Sequence, residues 1–233
     1  MSVLLPARRR GVELLDQRDA DPAVALRSLA DIRCCNQIFG GTSAVLAEIA
    51  PEVRAARARG QSLTVLDVGT GLGDIPERVR RVGCRMGVEV VTLGVEFSAA
   101  LAAAARPASG PAVAGDALAL PFASDSVDVV TCSQLLHHFE ERDAMRLLEE
   151  LERVARRLVI VAEIRRSRTA AAGLWLVSWI LRFHPVSRHD GVVSVMRGFR
   201  RHELAAAVER ATGRRPDARN RRGFRVTASW RPA

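Results

Sequence analysis

The segment Leu63 to Asp74, L-T-V-L-D-V-G-T-G-L-G-D, runs an apolar stretch straight into three alternating glycines. Glycine lets a backbone turn sharply and approach a ligand closely. A helix opening at Asp74 would aim unpaired N–H groups at a carboxylate or phosphate. A dinucleotide fingerprint would need a third glycine later: counted from Gly69 that place holds Asp74, and counted from Gly71 it holds Pro76. The nicotinamide reading fails there. What is present is an acid followed by spaced glycines, Asp67-Val-Gly69-Thr70-Gly71-Leu-Gly73. Two more carboxylates follow at the ends of β-branched runs, Glu96 in Gly94-Val-Glu96-Phe97-Ser98 and Asp116 in Gly115-Asp116-Ala117. Each alone reads as a loop carboxylate or a helix cap. Three such elements in order, each at a predicted strand tip, read as one cradle in which a carboxylate can accept from two vicinal hydroxyls.

A second set of groups lies in Thr131-Cys-Ser133-Gln134-Leu-Leu-His137-His138-Phe139. Histidine is the side chain best suited to take a proton near neutral pH, so His137 and His138 are candidate bases. Packing against a ligand, or capping the helix that follows, is the alternative role for either. His184, His189 and Asp190 form a further candidate set, with Arg188 available for an acidic group and loop-turn chemistry as the alternative. Cys34, Cys35, Cys84 and Cys132 match neither a zinc spacing nor a disulfide framework, so no metal ligands are predicted and a reducing cytoplasm is expected.

These residues need a scaffold that brings strand tips together. Before residue 60 the periodicity predicts helices at Val12 to Gln17, Pro22 to Ile38, and from Thr42 or Ser43 to Ala58. From Ser62 short β-branched runs alternate with helical stretches, the signature of β-α units on a parallel sheet. Strands are predicted at 63–68, 88–95, 112–114, 127–132 and 158–162, with helices at 74–85, 98–106 and 141–157. The apolar segment Ala170 to Phe183 and the His/Pro/Gly-rich stretch Phe183 to Gly198 break the alternation as an insertion. A helix at 201–212 and a closing antiparallel strand at 223–230 complete the chain.

The acid-Gly-x-Gly-x-Gly run, Glu96 and the Asp116-Ala117 pair together resemble the class I S-adenosylmethionine-dependent methyltransferases, over about Leu63 to Ile164. The resemblance implies an α/β, Rossmann-like, seven-stranded, mostly parallel sheet with helices on both faces and an antiparallel last strand. A helical cap at 1–60 and a core at 61–233 with a lid insertion at 165–200 are expected around it. It implies S-adenosylmethionine as cofactor, with Glu96 on the ribose and Asp116 on the adenine amine. Asp67, Gly69, Thr70, Gly71, Gly73, Phe97, Ser98, Ala117, Ser133 and Gln134 complete the expected cofactor set. The loop of His137 and His138 would face the methyl donor, with His189 as a further candidate catalytic group. Similar loops occur in enzymes of small molecules, which points to a hydrophobic acceptor of quinone, polyketide, phenolic or carboxylic acid type.

Composition narrows the other readings. The chain has 233 residues, 48% hydrophobic and 26% charged, enough for a folded α/β unit. Thirty-five basic residues, all Arg, against 26 acidic give +9, in scattered clusters such as Arg8 to Arg10. Nucleic acid is therefore a partner to weigh, but Ser133-Gln134-Leu-Leu stands where base-amine methyltransferases carry an Asn/Asp-Pro-Pro-aromatic loop. A non-catalytic cofactor-binding partner subunit is the remaining alternative. The arginines follow a short apolar start, the reverse of a secretory signal, so no export is expected. Thr169 to Leu181 is too short to cross a bilayer, while contact with a membrane surface stays open.

Overall fold

The computed structural model describes residues 8, 11–16 and 21–233. Seven strands form one sheet, β1 (Leu63–Val68), β2 (Val90–Glu96), β3 (Ala112–Ala114), β4 (Val127–Ser133), β5 (Ala155–Ile164), β6 (Asp217–Arg221) and β7 (Arg225–Trp230), in the order β3-β2-β1-β4-β5-β7-β6. The first five are parallel, and β7 and β6 close the sheet antiparallel. The Rossmann-like expectation holds, with one antiparallel strand more than was located in the sequence. Strand β6 reads D-A-R-N-R and pairs only with β7 at the sheet edge, so it carries no apolar alternation to find.

The helices are α1 (Pro22–Ile38), α2 (Gly41–Arg59), α3 (Asp74–Arg85), α4 (Ala99–Ser109), α5 (Glu141–Val154), α6 (Arg168–Ile180), α7 (Pro185–Arg197) and α8 (Arg201–Thr212). In β1, Leu63 and Val65 face the layer of α2 and α3, with Val45, Ile49, Val53 and Val79. Leu66 and Val68 face the layer of α5 and α8, with Leu147, Leu151, Leu204 and Val208. Alternation along a strand buried on both faces produces this division. Helix α2, although N-terminal to residue 60, therefore shares the core of the sheet. Its Glu48 also binds Arg221 of β6 and Thr227 and Ser229 of β7, tying the closing hairpin to that layer.

Several boundaries differ from the sequence reading for identifiable reasons. Helix α5 stops at Val154 rather than Arg157, because β5 begins at once opposite Val127. Arg156 and Arg157 then leave the helix and pair with Asp128, at 3.1 and 3.3 Å. Thr42 does not cap α2; Gly40 precedes that helix, and Thr42 lies buried within its first turn. The predicted helix at 12–17 appears as a 3₁₀ turn, Leu14–Asp16, with Gln17 outside the described residues.

The stretch read as a His/Pro/Gly loop is helix α7. Pro185 occupies its first turn, where a missing N–H costs nothing, and His184 Nδ1 accepts from Val186 N. Gly191 survives mid-helix because a Cβ there would stand 3.0 Å from Leu174 Cδ2 of α6, so the glycine lets the two helices pack closely. Helix α6 buries only Ala170 and Ser178; Trp175, Leu176, Trp179 and Ile180 are each more than half exposed. Arg188 lays its guanidinium 3.8 Å from the Trp179 ring rather than standing free for an acidic group.

Candidate active site

The chain moves from β1 outward to β2 and β3, then returns to lay β4 on the other side of β1. This reversal opens a crevice beyond the C-terminal ends of the strands, the place where open α/β sheets bind ligands. Gly69, Gly71 and Gly73 all take left-handed φ values, 71°, 58° and 74°. At Gly73 a side chain is excluded twice over: the φ is unfavourable, and a Cβ would lie 2.5 Å from Ser109 N at the end of α4. Thr70 folds its methyl over Gly94 of β2, where any Cβ would stand 2.7 Å away. The glycine loop is thus pressed between neighbouring elements, and its shape is set before any ligand arrives.

Three carboxylates surround it. Gly71 N donates to Glu96 at the tip of β2. Asp74 accepts from Thr42 Oγ1 at 3.0 Å and Asn36 Nδ2 at 3.3 Å, which docks α1 and α2 onto the first turn of α3. Asp67 lies 2% exposed beneath the loop and accepts from Thr131 Oγ1, its register partner on β4. Burial pushes Asp67 up to about 7, and the charges of Asp74 and Glu96 add to the effect while Thr131 opposes it. Burial likewise raises Asp74 and Glu96, against the hydrogen bonds each accepts.

Asp67 thus makes a pH-dependent contribution of definite sign. In the unfolded chain it ionises near 3.8, and in the folded protein near 7, so between those values the folded state holds the extra proton. Its stabilising contribution is full below about pH 4 and lost as the pH rises through 7. Asp67→Asn, which keeps an acceptor for Thr131, is expected to raise Tm relative to wild type by at least about 3 °C more at pH 8 than at pH 4. Thermal melts of both proteins at the two pH values check this; an equal offset at both would remove the assignment.

Of the other predicted cofactor residues, Ser98 caps α4 by accepting from Leu101 N at 3.2 Å, and Phe97 beside it stands 84% exposed over the crevice edge. Asp116 is exposed and closes its own turn by accepting from Leu118 N at 2.8 Å, with Ala117 packed against the core. Ser133 Oγ is buried without a hydrogen-bond partner. Gln134, at a φ of 54°, has both ends of its amide engaged, Nε2 with Asn36 and Oε1 with Arg225 Nη1 at 2.7 Å. Its role in the structure is to anchor α1 to the crevice floor.

The loop after β4 carries His137 and His138 to the same end of the sheet. His137 is 2% exposed and places Nδ1 2.8 Å from Glu163 Oε2 of β5. Burial raises the Glu163 carboxyl, but His137 and the Ile164 N–H more than offset this and hold it below its usual range. An ionised Glu163 accepts only, so Nδ1 carries a proton toward it and the ring is held in one orientation. Nε2 has no hydrogen-bond partner and faces Glu13 Oε1 at 3.8 Å. The His138 ring lies 4.4 Å from that of His137, its Nδ1 3.7 Å from Glu13 Oε2. His189, by contrast, is half exposed and bonds Asp190, whose carboxylate accepts from Leu14 N and Leu15 N. That pair clasps the 3₁₀ turn of Glu13's segment onto α7 and does not join the other histidines.

Residues 66–161 match the family described as Methyltransferase domain. These residues form the domain of an S-adenosylmethionine-dependent methyltransferase. Solved structures agree in fold. One is the magnesium protoporphyrin IX methyltransferase of Synechocystis PCC 6803 with bound SAH, 17% identical, covering 82% of this chain and 84% of that one at a TM-score of 0.51. An Aquifex aeolicus SAM-dependent methyltransferase is 16% identical over 73% of this chain and 82% of its own, at 0.52. The Haloferax volcanii complex between the Trm112 methyltransferase activator and a candidate methyltransferase gives 15%, 92% and 99%, at 0.57. No curated protein matches the sequence.

The methyltransferase crevice suits its cofactor on structural grounds. Glu96 offers carboxylate oxygens at the tip of β2, Ser133 Oγ is an orphaned buried hydroxyl, and the left-handed glycine loop admits close approach. A separate cavity of about 380 Å³, lined by Arg165, Arg166, Arg200 and Arg201, suits an anion rather than a sulfonium and contains none of the motif residues. The sequence reading missed Glu13, Glu163 and Asn36. For Glu163 a signal existed, a lone acid ending the apolar run Leu158-Val-Ile-Val-Ala. For Glu13 and Asn36 there was none, since their partners, His137 for the one and Asp74 and Gln134 for the other, lie on distant elements.

Proposed function

We propose that this methyltransferase transfers the methyl group of S-adenosylmethionine to a small hydrophobic acceptor of phenolic, quinone, polyketide or carboxylic acid type. The cofactor supplies an electrophilic methyl on a sulfonium, and the protein must align a nucleophile in line with it. Glu96 would accept from the ribose hydroxyls, Asp116 from the adenine amine, and the exposed Phe97 would cover the adenine face. The glycine loop over Asp67 would receive the amino acid end, with Ser133 Oγ as a further donor.

The observation that carries the acceptor half is His137, buried in the turn that follows Ser133 and held at Nδ1 by Glu163. An imidazole oriented there is placed to act on the acceptor's oxygen. The exposed apolar face of α6, with Trp175 and Trp179, supports a greasy acceptor met at the protein surface. Among the described residues no helix is long and apolar enough to cross a membrane. All four cysteines are free, which supports a reducing compartment.

The test is incubation with methyl-labelled S-adenosylmethionine and a panel of alkylated phenols, hydroquinones and long-chain acids. Label is expected in at least one hydrophobic oxygen acceptor. Transfer to none of them, with the cofactor bound, would favour a non-catalytic binder instead.

A further inference from the structure

We propose that His137, His138 and Glu13 bind one divalent transition-metal cation, with zinc the best match, whose open position takes an oxygen of the acceptor. The acceptor clause rests on the function proposed above; binding of the cation does not.

Among the described residues these three ligand side chains converge, with one donor atom from each and all donor atoms within 4.8 Å of one another. Zinc bonds of about 2.0–2.2 Å to nitrogen and carboxylate oxygen set tetrahedral ligand atoms about 3.3 Å apart. The observed separations are 3.8 Å from His137 Nε2 to Glu13 Oε1 and 3.7 Å from His138 Nδ1 to Glu13 Oε2, and with all three donor atoms within 4.8 Å the set must close by about half to one and a half ångströms to reach that spacing. They are too long for hydrogen bonds, so a direct proton link does not account for the arrangement.

The independent observation is His137 Nε2 itself. It is a buried ring nitrogen with no partner, aimed at the oxygen of a carboxylate that is only 4% exposed. A buried ring nitrogen and a buried carboxylate oxygen held 3.8 Å apart, beyond hydrogen-bond reach, leave a gap that a small cation would bridge. The surroundings are those of a metal site. Glu163 holds His137 Nδ1 at 2.8 Å, the carboxylate–histidine support that orients metal-binding imidazoles. Glu13 Oε1 is fixed by Ser194 Oγ at 2.9 Å and Arg197 Nη1 at 3.0 Å, which leaves Oε2 turned toward His138. Two imidazoles and one carboxylate make a three-ligand set, which leaves a fourth position for an exogenous oxygen. The N/O ligand chemistry selects zinc-class ions over magnesium, which prefers oxygen ligands and retains its waters.

The full-length protein, stripped by chelator, should bind close to one equivalent of zinc in a calorimetric titration, and cobalt should give the visible absorption of a tetrahedral site. Magnesium should give no saturable binding. His138→Ala and Glu13→Gln should abolish stoichiometric binding, and Glu163→Gln, which touches no metal, should weaken it by about 10–100-fold. S-adenosylmethionine affinity, measured in parallel on Glu13→Gln, should stay within about twofold, which confirms folding and keeps failure of the site distinct from failure of the methyltransferase reading. Absence of saturable zinc and cobalt binding, or binding unchanged in both His138→Ala and Glu13→Gln, would overturn the proposal.

Discussion

Glu96→Gln is expected to raise the dissociation constant for S-adenosylmethionine by about 100-fold, because two charge-assisted hydrogen bonds, each worth about 1.5–3 kcal/mol, would be weakened or lost together. Glu96 sits at the tip of β2 with the Gly71 N–H already donating to it, so its carboxylate is held where a ribose edge would cross the sheet. The substitution leaves an acceptor for Gly71, and burial already disfavours the charge at this position. The fold should therefore tolerate it, with Tm moving by less than about 3 °C. Equilibrium binding by calorimetry, alongside a thermal melt, separates the two effects. Affinity within threefold of wild type would remove the ribose assignment and with it the orientation of the cofactor in the crevice.

His137→Gln is expected to act on the other half of the reaction, lowering kcat by about 100- to 1,000-fold with cofactor affinity unchanged. Glutamine is the informative replacement because its amide can still donate to the buried Glu163. Deleting the ring outright would strand an ionised carboxylate, at a cost of about 3–5 kcal/mol, and confuse activity with folding. Glu163→Gln should also reduce kcat, and it should shift the pH–rate profile, because a neutral amide no longer fixes the imidazole tautomer. A purely structural role for Glu163 would leave that profile in place. Single-turnover rates over pH, set beside cofactor binding, decide the matter; unchanged kcat in His137→Gln would place acceptor activation elsewhere.

Much of the glycine crevice was legible because its parts are local. Asp67, Gly69, Gly71 and Gly73 lie within one strand-to-helix turn, and the φ values that the turn demands are those glycine alone takes readily. Glu96 ends the β-branched run of β2 and Asp116 follows the short β3, and a parallel sheet brings the ends of such strands to one edge whatever the details of packing. The insertion was less readable. A proline opens α7 and a glycine sits inside it, and the sequence signal for a loop differs little from that for a helix whose glycine fits against Leu174. Strand β6 is polar because it lies at an edge, so hydrophobic alternation could not mark it.

Two residues show where reading along the chain stops. For Gln134 the chain alone could not show that its amide joins Asn36 of α1 to Arg225 of β7, elements that meet only in the folded molecule. His137 was a candidate from its type alone, but its tautomer depends on Glu163 and its free nitrogen faces Glu13, carried by a segment more than a hundred residues earlier. Sequence by itself determined the sheet, the glycine turn and the acids at the strand tips, because backbone conformation and strand alternation are set by neighbours in the chain. Only the tertiary structure decided which lone pairs are satisfied, which are left open and which charges are buried, because those depend on side chains brought together by packing across layers.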